Sequence, residues 1–426
     1  MSGAPARDAP VWDAGPAGAE YPALRGSHAA DAVIIGGGYS GLIAAIEARA
    51  AGLDVTLLEA EQPGAGASSA NAGHFAPLML GNSSMAKVRN SLGKARAARW
   101  LEMLAGSGAW LIDTIEAHDI ACDLDRHYLC VARSARGVAR MRAKFEAWRP
   151  YGGRFEMVAP TALAAHVRSG RYAGGALLAD SGTLNPLRLA RGLAEAAVAK
   201  GAAVHGGSRV LTAARGDGGW TVSTAEGSVR ARRLLLATGA TGDGLFPEAE
   251  QALPQMVAAV VATEALADRG AAMLPAGGAV VDLDDKAVFS PTITADGRLA
   301  ASFLCADATP ALPGAAGPLQ RRFARAFPGR DRPAFTQLSS GRMTITPDGV
   351  PRILALGEDG WALSGCNGFG LTHGISAARE AARLLAGAEP SELALPVLPA
   401  RRMRGKAMLE RVMRRVLVPM LNRLGA

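Results

Sequence analysis

The spacing of apolar residues changes period along the chain, and each change marks an element. Residues 1 to 30 carry no period: they are rich in Pro, Gly and Ala, with Trp12 and Tyr21-Pro22 as isolated anchors, and predict an irregular arm. Ala32-Val33-Ile34-Ile35 is a short continuous apolar run, as expected of a strand buried on both faces in a parallel sheet. Helical spacing follows to about Ala51, Gly52 stops it, and Val55-Thr56-Leu57-Leu58 reads as the next strand. These three elements make one βαβ unit. From Met85 to Glu116 the helical period returns, with Val88, Leu92, Trp100, Leu101, Leu104, Trp110 and Leu111 on the apolar faces. From Asp123 to Arg133, and again from Val257 to Phe303, short β-branched runs broken by Gly, Pro and Asp predict antiparallel sheet. Between them lie a helix from about Pro186 to Lys200 and strands at Ala203 to His205, Trp220 to Ser223 and Leu234 to Ala237. A last strand near Trp361-Ala362-Leu363 feeds a helix from about Leu371 to Leu385.

Gly36-x-Gly38-x-x-Gly41 sits between the first strand and its helix. In a dinucleotide-binding turn the first glycine permits the tight bend, the second lets backbone approach a pyrophosphate, and the third lets helix and strand pack closely. Tyr39 and Ser40 open the helix, whose first amides and dipole suit a phosphate. Glu59 ends the second strand, 18 residues after Gly41, where a carboxylate can accept both ribose hydroxyls, and Ala60 follows it. A run of small residues comes next, Gly64-Ala-Gly-Ala67-Ser68-Ser-Ala-Asn71-Ala72-Gly73-His74. A simple NAD dehydrogenase would pass straight into a helix here. Small side chains instead let the backbone run beside an extended cofactor, with Ser68 placed to donate to a phosphate, so the pattern points to FAD.

The predicted fold class is therefore α/β + α+β. An FAD-binding Rossmann-like domain is built from separated segments, 28–85, 175–246 and 336–390. An inserted substrate domain with a mixed or antiparallel sheet takes 86–174 and 247–335, and 391–426 forms a basic amphipathic C-terminal segment. A chain of 426 residues is long enough for two joined cores.

Charge sharpens this picture at one end. Eight of the 46 basic residues but only one of the 38 acidic ones fall in Arg401–Ala426, so that segment carries +7 and the rest of the chain +1. A near-neutral body with 5% aromatic residues offers no platform for nucleic acid. In the basic segment Leu409, Val412, Met413, Val416, Leu417, Met420, Leu421 and Leu424 recur at helical spacing, with Pro419 expected to bend or break the helix. Such a helix either packs its apolar stripe on the body or lies on an anionic membrane. The four cysteines form no C-x-x-C pair and suit a reducing cytoplasm. Residues 1 to 10 lack a signal-like apolar core, and the longest apolar stretch, 32–51, is interrupted by three glycines and carries Glu47 and Arg49, so it is no membrane span. The expected location is cytoplasmic, or peripheral at the inner face of the membrane in the case where the C-terminal helix lies on lipid.

Beyond the glycine turn the chain resembles the D-amino-acid oxidase superfamily of flavoproteins, which includes glycine, sarcosine and γ-glutamylputrescine oxidases. The lead-in from Trp12 through Tyr21-Pro22 to Asp31-Ala-Val-Ile-Ile-Gly-Gly-Gly-Tyr-Ser-Gly-Leu42 is similar to the γ-glutamylputrescine oxidase branch, whereas Ser69-Ala-Asn-Ala-Gly73 is closer to the D-amino-acid dehydrogenases. Gly175-Ala-Leu-Leu-Ala-Asp-Ser-Gly-Thr-Leu-Asn-Pro186 and Leu234-Leu-Leu-Ala237-Thr238-Gly239 match further blocks. So do Gly341-Arg-Met-Thr-Ile-Thr-Pro-Asp-Gly-Val-Pro351 and Gly365-Cys-Asn367-Gly368-Phe369-Gly370-Leu371-Thr372. The resemblance spans roughly residues 12 to 390. It departs at Asn185, where many members have His, and at Phe369, which replaces a common Arg.

The resemblance implies non-covalently bound FAD. Val210 contributes to the adenine site, and the amides from Asn367 to Thr372 stabilise negative charge on the reduced ring. Gly341 stands where monomeric sarcosine oxidases carry a flavin-linking Cys, so that attachment is excluded. The implied reaction is oxidation of an amine or amino-acid C–N bond by hydride transfer to flavin N5, followed by imine hydrolysis, with O2 or a quinone taking the electrons. Arg342 is the candidate for binding a substrate carboxylate; His74, His373 and Phe289 are candidates for lining the cavity. The alternatives are a flavoprotein subunit of a larger complex and a quinone-linked, membrane-associated dehydrogenase. No metal-ligand pattern stands out.

Overall fold

The computed structural model describes residues 11–12, 19–77, 84–242, 244–285, 289–307 and 309–424. The glycine turn joins strand β1 (Gly26–Ile35) to helix α1 (Tyr39–Ala50), which leads to β2 (Val55–Leu58). Ala32 to Ile35 are all buried, because β1 is flanked by parallel partners on both sides, β2 and Gly227–Leu236. Eight of the twelve residues of α1 are buried, including Gly41, Ala44, Ala45 and Ala48. Small side chains are what allow one helix to lie against the sheet and against the helices Pro186–Ala199 and Ile375–Leu385 together.

This sheet has nine strands. Its main path runs Val397–Pro399, Arg352–Gly357, Gly360–Ser364, Gly227–Leu236, β1, β2 and Ala203–His205. Ile35, Leu58 and Leu236 end at one edge, so the loops that follow them converge outside the carboxyl ends of parallel strands, where α/β folds place ligands.

A second sheet of eight strands runs from Phe335–Thr344 at one edge through Gln255–Ala265, Arg298–Cys305, Thr292–Ile293, Ala279–Asp282, Tyr128–Ala132 and Gly174–Leu178 to Phe155–Val158. Its pleat sorts side chains between two cores. Tyr128, Cys130, Ala279 and Val281 enter the core shared with the nine-stranded sheet and its helices, while Leu129, Val131 and Val280 join Met273, Leu274, Phe323 and Phe327 on the other side.

Three segment edges differ from the pattern-based division. Gly174–Leu178 and Phe335–Thr344 pair in the eight-stranded sheet, and Val397–Pro399, assigned to the basic segment, adds a strand beside Arg352–Gly357. Short apolar runs look alike locally; which sheet takes them is set by long-range pairing. The stretch from Met85 to Glu116 is likewise interrupted: Met85–Ala105 kinks at Gly93 (φ +73°), and Ser107–Ala117 begins after Gly106.

Glu380 ties the middle of the helix Ile375–Leu385 to the segment that leads into the strand Val397–Pro399. Its carboxylate is fully buried, accepts from the amides of Ala394 (2.5 Å) and Leu395 (3.2 Å), and pairs with Arg383 at 3.1 Å. Glu380→Ala is expected to strand both buried amides and lower stability by about 3 kcal/mol. Urea unfolding checks this, and an unchanged midpoint would remove Glu380 from the account.

Candidate active site

Four glycines leave bare backbone at the sheet edge. Gly36 has φ +112°, and a Cβ there would lie 2.8 Å from the carbonyl oxygen of Ala237. At Gly41 a Cβ would lie 1.9 Å from the carbonyl oxygen of Gly36, and at Gly37 and Gly38 it would press on Glu59 and Ser68. The Gly37 amide donates to the Glu59 carboxylate at 2.6 Å, and the Tyr39 amide donates to the Ser68 hydroxyl at 3.1 Å. The other Glu59 oxygen takes the Glu61 amide at 3.0 Å. Side-chain-free amides at the start of a twelve-residue helix, with a carboxylate beside them, are donors for a pyrophosphate and an acceptor for a ribose. Thr238 and Gly239 (φ +64°) turn the neighbouring strand away at the same edge. Val210 packs half-buried against the cluster containing Leu58 and Trp220.

The small-residue run is held from three directions. The Tyr39 hydroxyl lies 2.7 Å from the Ser68 carbonyl oxygen and 2.9 Å from that of Pro186. Burial raises its pKa well above the ordinary phenol value, so it stays protonated and able to donate. Asn71 donates to the Ser68 carbonyl at 2.6 Å and accepts the Gly73 amide at 2.9 Å, while the Trp12 indole donates to the Asn71 carbonyl at 2.7 Å. Gly73 (φ +70°) is required because a Cβ would lie 2.0 Å from the Leu184 carbonyl oxygen. Ala72 packs beside Leu187 near Trp12 and Val260.

A second turn meets the first. Asn367 (φ +57°) accepts from the Thr346 amide at 2.7 Å and donates to the Gly365 carbonyl at 2.6 Å, with Gly368 at φ +80°. A wide helical turn, Gly370–Gly374, then opens the helix Ile375–Leu385, so amides at its start lack intrahelical acceptors. The Ser40 hydroxyl donates to the Gly374 carbonyl at 3.3 Å and ties the two glycine-rich turns together. Leu371 and Thr372 are buried below them.

Two histidines lie near these turns. His74 pairs with Thr183 in a two-stranded ribbon, meets the Tyr128 ring edge-to-face at 5.7 Å, and has a buried Nε2 without a partner among the described residues. Burial pulls its pKa down to about 4. His373 is 1% exposed, stacks on Trp100 at 6.2 Å and meets Phe369 edge-to-face at 5.0 Å; neither ring nitrogen has a partner among the described residues. Burial pulls its pKa down to about 3. Both rings are neutral at pH 7.

Two expected substrate contacts lie elsewhere. A Cβ on Gly341 would face Ala67 and Ala70, so this face of the strand Phe335–Thr344 looks at the cofactor loop. The pleat then sends Arg342 to the opposite face, where its side chain is exposed and makes no hydrogen bond or ion pair among the described residues. Phe289 is buried in the cluster of Leu129, Val280 and Phe323, on that same far side of the sheet. What faces the loop instead is a floor of Met256, Ala258, Ser302, Leu304, Gly341 and Met343, half-buried except for the more buried Met256. Tyr128, Trp100 and Ser302 were missed by sequence reasoning; strand parity, once a pairing partner is known, would have placed Tyr128 and Ser302. Among the described residues no cluster of His, Cys, Asp and Glu is arranged to hold a metal.

Bare glycine amides, a ribose-type carboxylate and a second helix start tied to the first define a dinucleotide-binding oxidoreductase of the flavoprotein class. The chain belongs to the FAD dependent oxidoreductase family, whose model matches residues 31–384. It is 31% identical over 284 residues to the gamma-glutamylputrescine oxidoreductase of Escherichia coli (strain K12), covering 66% of each chain. The chain spans about half to two thirds of the length of the first curated relatives it matches. Among solved structures, glycine oxidase from Geobacillus kaustophilus superposes with a TM-score of 0.68 at 20% identity, covering 88% of this chain and 99% of that one. L-amino acid deaminase from Proteus myxofaciens superposes at 0.71 and 14%, covering 88% and 94%.

Buried neutral histidines make stability depend on acid. The unfolded chain takes up protons near pH 6.5 while His373 in the fold resists them until about pH 3, so stability is full above pH 6.5 and falls as pH drops toward that value. His373→Gln is expected to flatten the loss by up to about 1.4 kcal/mol per pH unit in this window. Unfolding free energies at pH 7 and pH 5 check it; an identical slope in the variant would show that the ring is not held neutral.

Proposed function

We propose that the chain oxidises the C–N bond of a primary or secondary amine or amino acid. The observation that carries the reading is the character of the sheet floor that faces the Ala67–His74 loop. The floor has methyl, thioether and hydroxyl groups and no carboxylate, and His74 beside it is uncharged. Such surroundings favour an amine bound in its neutral form, with its nitrogen lone pair free to assist loss of the α-hydrogen. The similarity to a gamma-glutamylputrescine oxidoreductase supports an amine as substrate.

Bound FAD supplies the two-electron acceptor. The protein supplies position and exclusion of water. Gly38 and the first turn of α1 would present amides to the diphosphate, Glu59 would take the ribose hydroxyls, and the Gly370–Gly374 turn would offer amides to developing negative charge. Tyr128 and His74 would wall one end of the site, and Gly341, where a Cβ would lie 3.1 Å from that of Ala67, lets the strand approach the cofactor loop closely. The substrate loses its α-hydrogen with an electron pair and the nitrogen its proton, so the C–N bond becomes C=N. Water then adds to the imine to release a carbonyl product with ammonia, or with a primary amine when the substrate is secondary, and O2 or a quinone takes up the electrons.

The test is anaerobic mixing of the purified protein with gamma-glutamylputrescine, simple amines and amino acids. Flavin absorption is expected to bleach with at least one amine, and air or a quinone to restore it. If dithionite bleaches the flavin while no amine or amino acid in the panel does, amine oxidation is the wrong reaction.

A further inference from the structure

We propose that the outer face of the segment from Lys406 to Leu424 docks on an anionic membrane surface. Three consecutive pieces, Lys406–Val412, a wide turn Met413–Leu417 and Val418–Leu424, form a continuous helical stretch. Pro419 accounts for the wide turn: it has no amide to give the preceding turn and its ring crowds the carbonyl four residues back, so the helix widens instead of breaking.

One side of this helix is fixed to the body. Met413 (5% exposed) and Val418 (0%) pack with Leu409 against Met256, Leu304, Met343 and Ile345. Glu410, the segment's single acid, accepts the Gln255 amide at 2.8 Å; Asn422 donates to the Leu304 carbonyl at 3.2 Å and receives Arg322 at 3.2 Å. The segment is therefore a built part of the molecule.

The other side has no protein partner among the described residues. Met408, Val412, Val416, Leu417 and Met420 are 73%, 45%, 59%, 37% and 45% exposed, and they are five of the seven large apolar side chains exposed among the described residues. Met408, Val412, Val416 and Met420 follow one another at intervals of four, which makes a single stripe. Arg411, Arg415 and Arg423 are exposed beside it, and with Arg414 they have no ion pair among the described residues. With Glu410 turned inward, the outward charge of the segment is wholly positive. Five apolar side chains are far fewer than the roughly 20–30 residues a stable protein interface takes from each partner. Shallow insertion of an apolar stripe with guanidinium groups at headgroup level asks for no more than this. No helix among the described residues is long and apolar enough to cross a membrane, so the contact is peripheral.

Docking here has a consequence for the cleft. Leu304 and Met343, which the helix covers, belong to the floor beside Gly341, so the lipid surface would lie near the rim of the substrate space. The proposal is independent of which amine is oxidised.

The test is flotation of the flavin-loaded full chain with vesicles of phosphatidylcholine, alone or mixed with phosphatidylglycerol. The protein is expected to float with the mixed vesicles, at least about tenfold more than with phosphatidylcholine alone, and to be released as salt rises. V412E/V416E and R411Q/R415Q/R423Q should each lose this binding while keeping flavin content, melting temperature and activity with a soluble dye. M408Q/M420Q serves as a second stripe variant if V412E/V416E does not fold. Absence of flotation with the mixed vesicles, equal flotation with both compositions, or flotation retained by the stripe variants would overturn the proposal. So would concentration-dependent self-association that the stripe variants abolish, without flotation, since the stripe would then join two copies.

Discussion

Backbone meets backbone at the sheet edge where Gly36, Gly41 and Ala237 come together, and the rest of the site hangs on that approach. A methyl group at Gly41 would stand 1.9 Å from the Gly36 carbonyl oxygen, and one at Gly36 would stand 2.8 Å from that of Ala237. Only a chain without side chains at these positions lets α1 rest on the parallel strands and bring its first amides to the strand ends. Ser40 then reaches Gly374, so the geometry of the first turn is passed to the second, some 330 residues later in the chain.

The second constraint is electrostatic. Aromatic rings close over both histidines: Tyr128 against His74, and Trp100 and Phe369 against His373. Burial keeps both imidazoles uncharged, which costs stability in acid. A cofactor that carries the redox chemistry needs position and low polarity from its protein more than it needs acids and bases.

What was legible in the sequence was local. The strand, glycine turn, helix, second strand and Glu59 are contiguous, so period and spacing alone place them, and the hydrogen bond from Gly37 to Glu59 joins residues within that unit. Strand pairing is a different kind of fact. Nothing in Phe335–Thr344 says that Gly341 faces Ala67, and without that fact the face of Arg342 stays open. Phe289 has the same history: its aromatic character was visible, its side of the sheet was not. At the C-terminus the helical period was plain, but it could not separate Leu409 and Met413, which face the body, from Met408, Val412 and Val416, which face outward. Pro419 widened the preceding turn rather than breaking the helix, because packing on Met256 and Leu304 holds both halves in place.

The central claim is that this glycine-lined edge holds FAD without a covalent bond. Acid precipitation of the purified chain, followed by chromatography of the supernatant, tests it most directly. The account predicts FAD in the supernatant in about equal amount to the protein, and a colourless pellet. Flavin retained in the pellet would contradict non-covalent binding, and NAD in place of FAD would contradict the reading of the site itself.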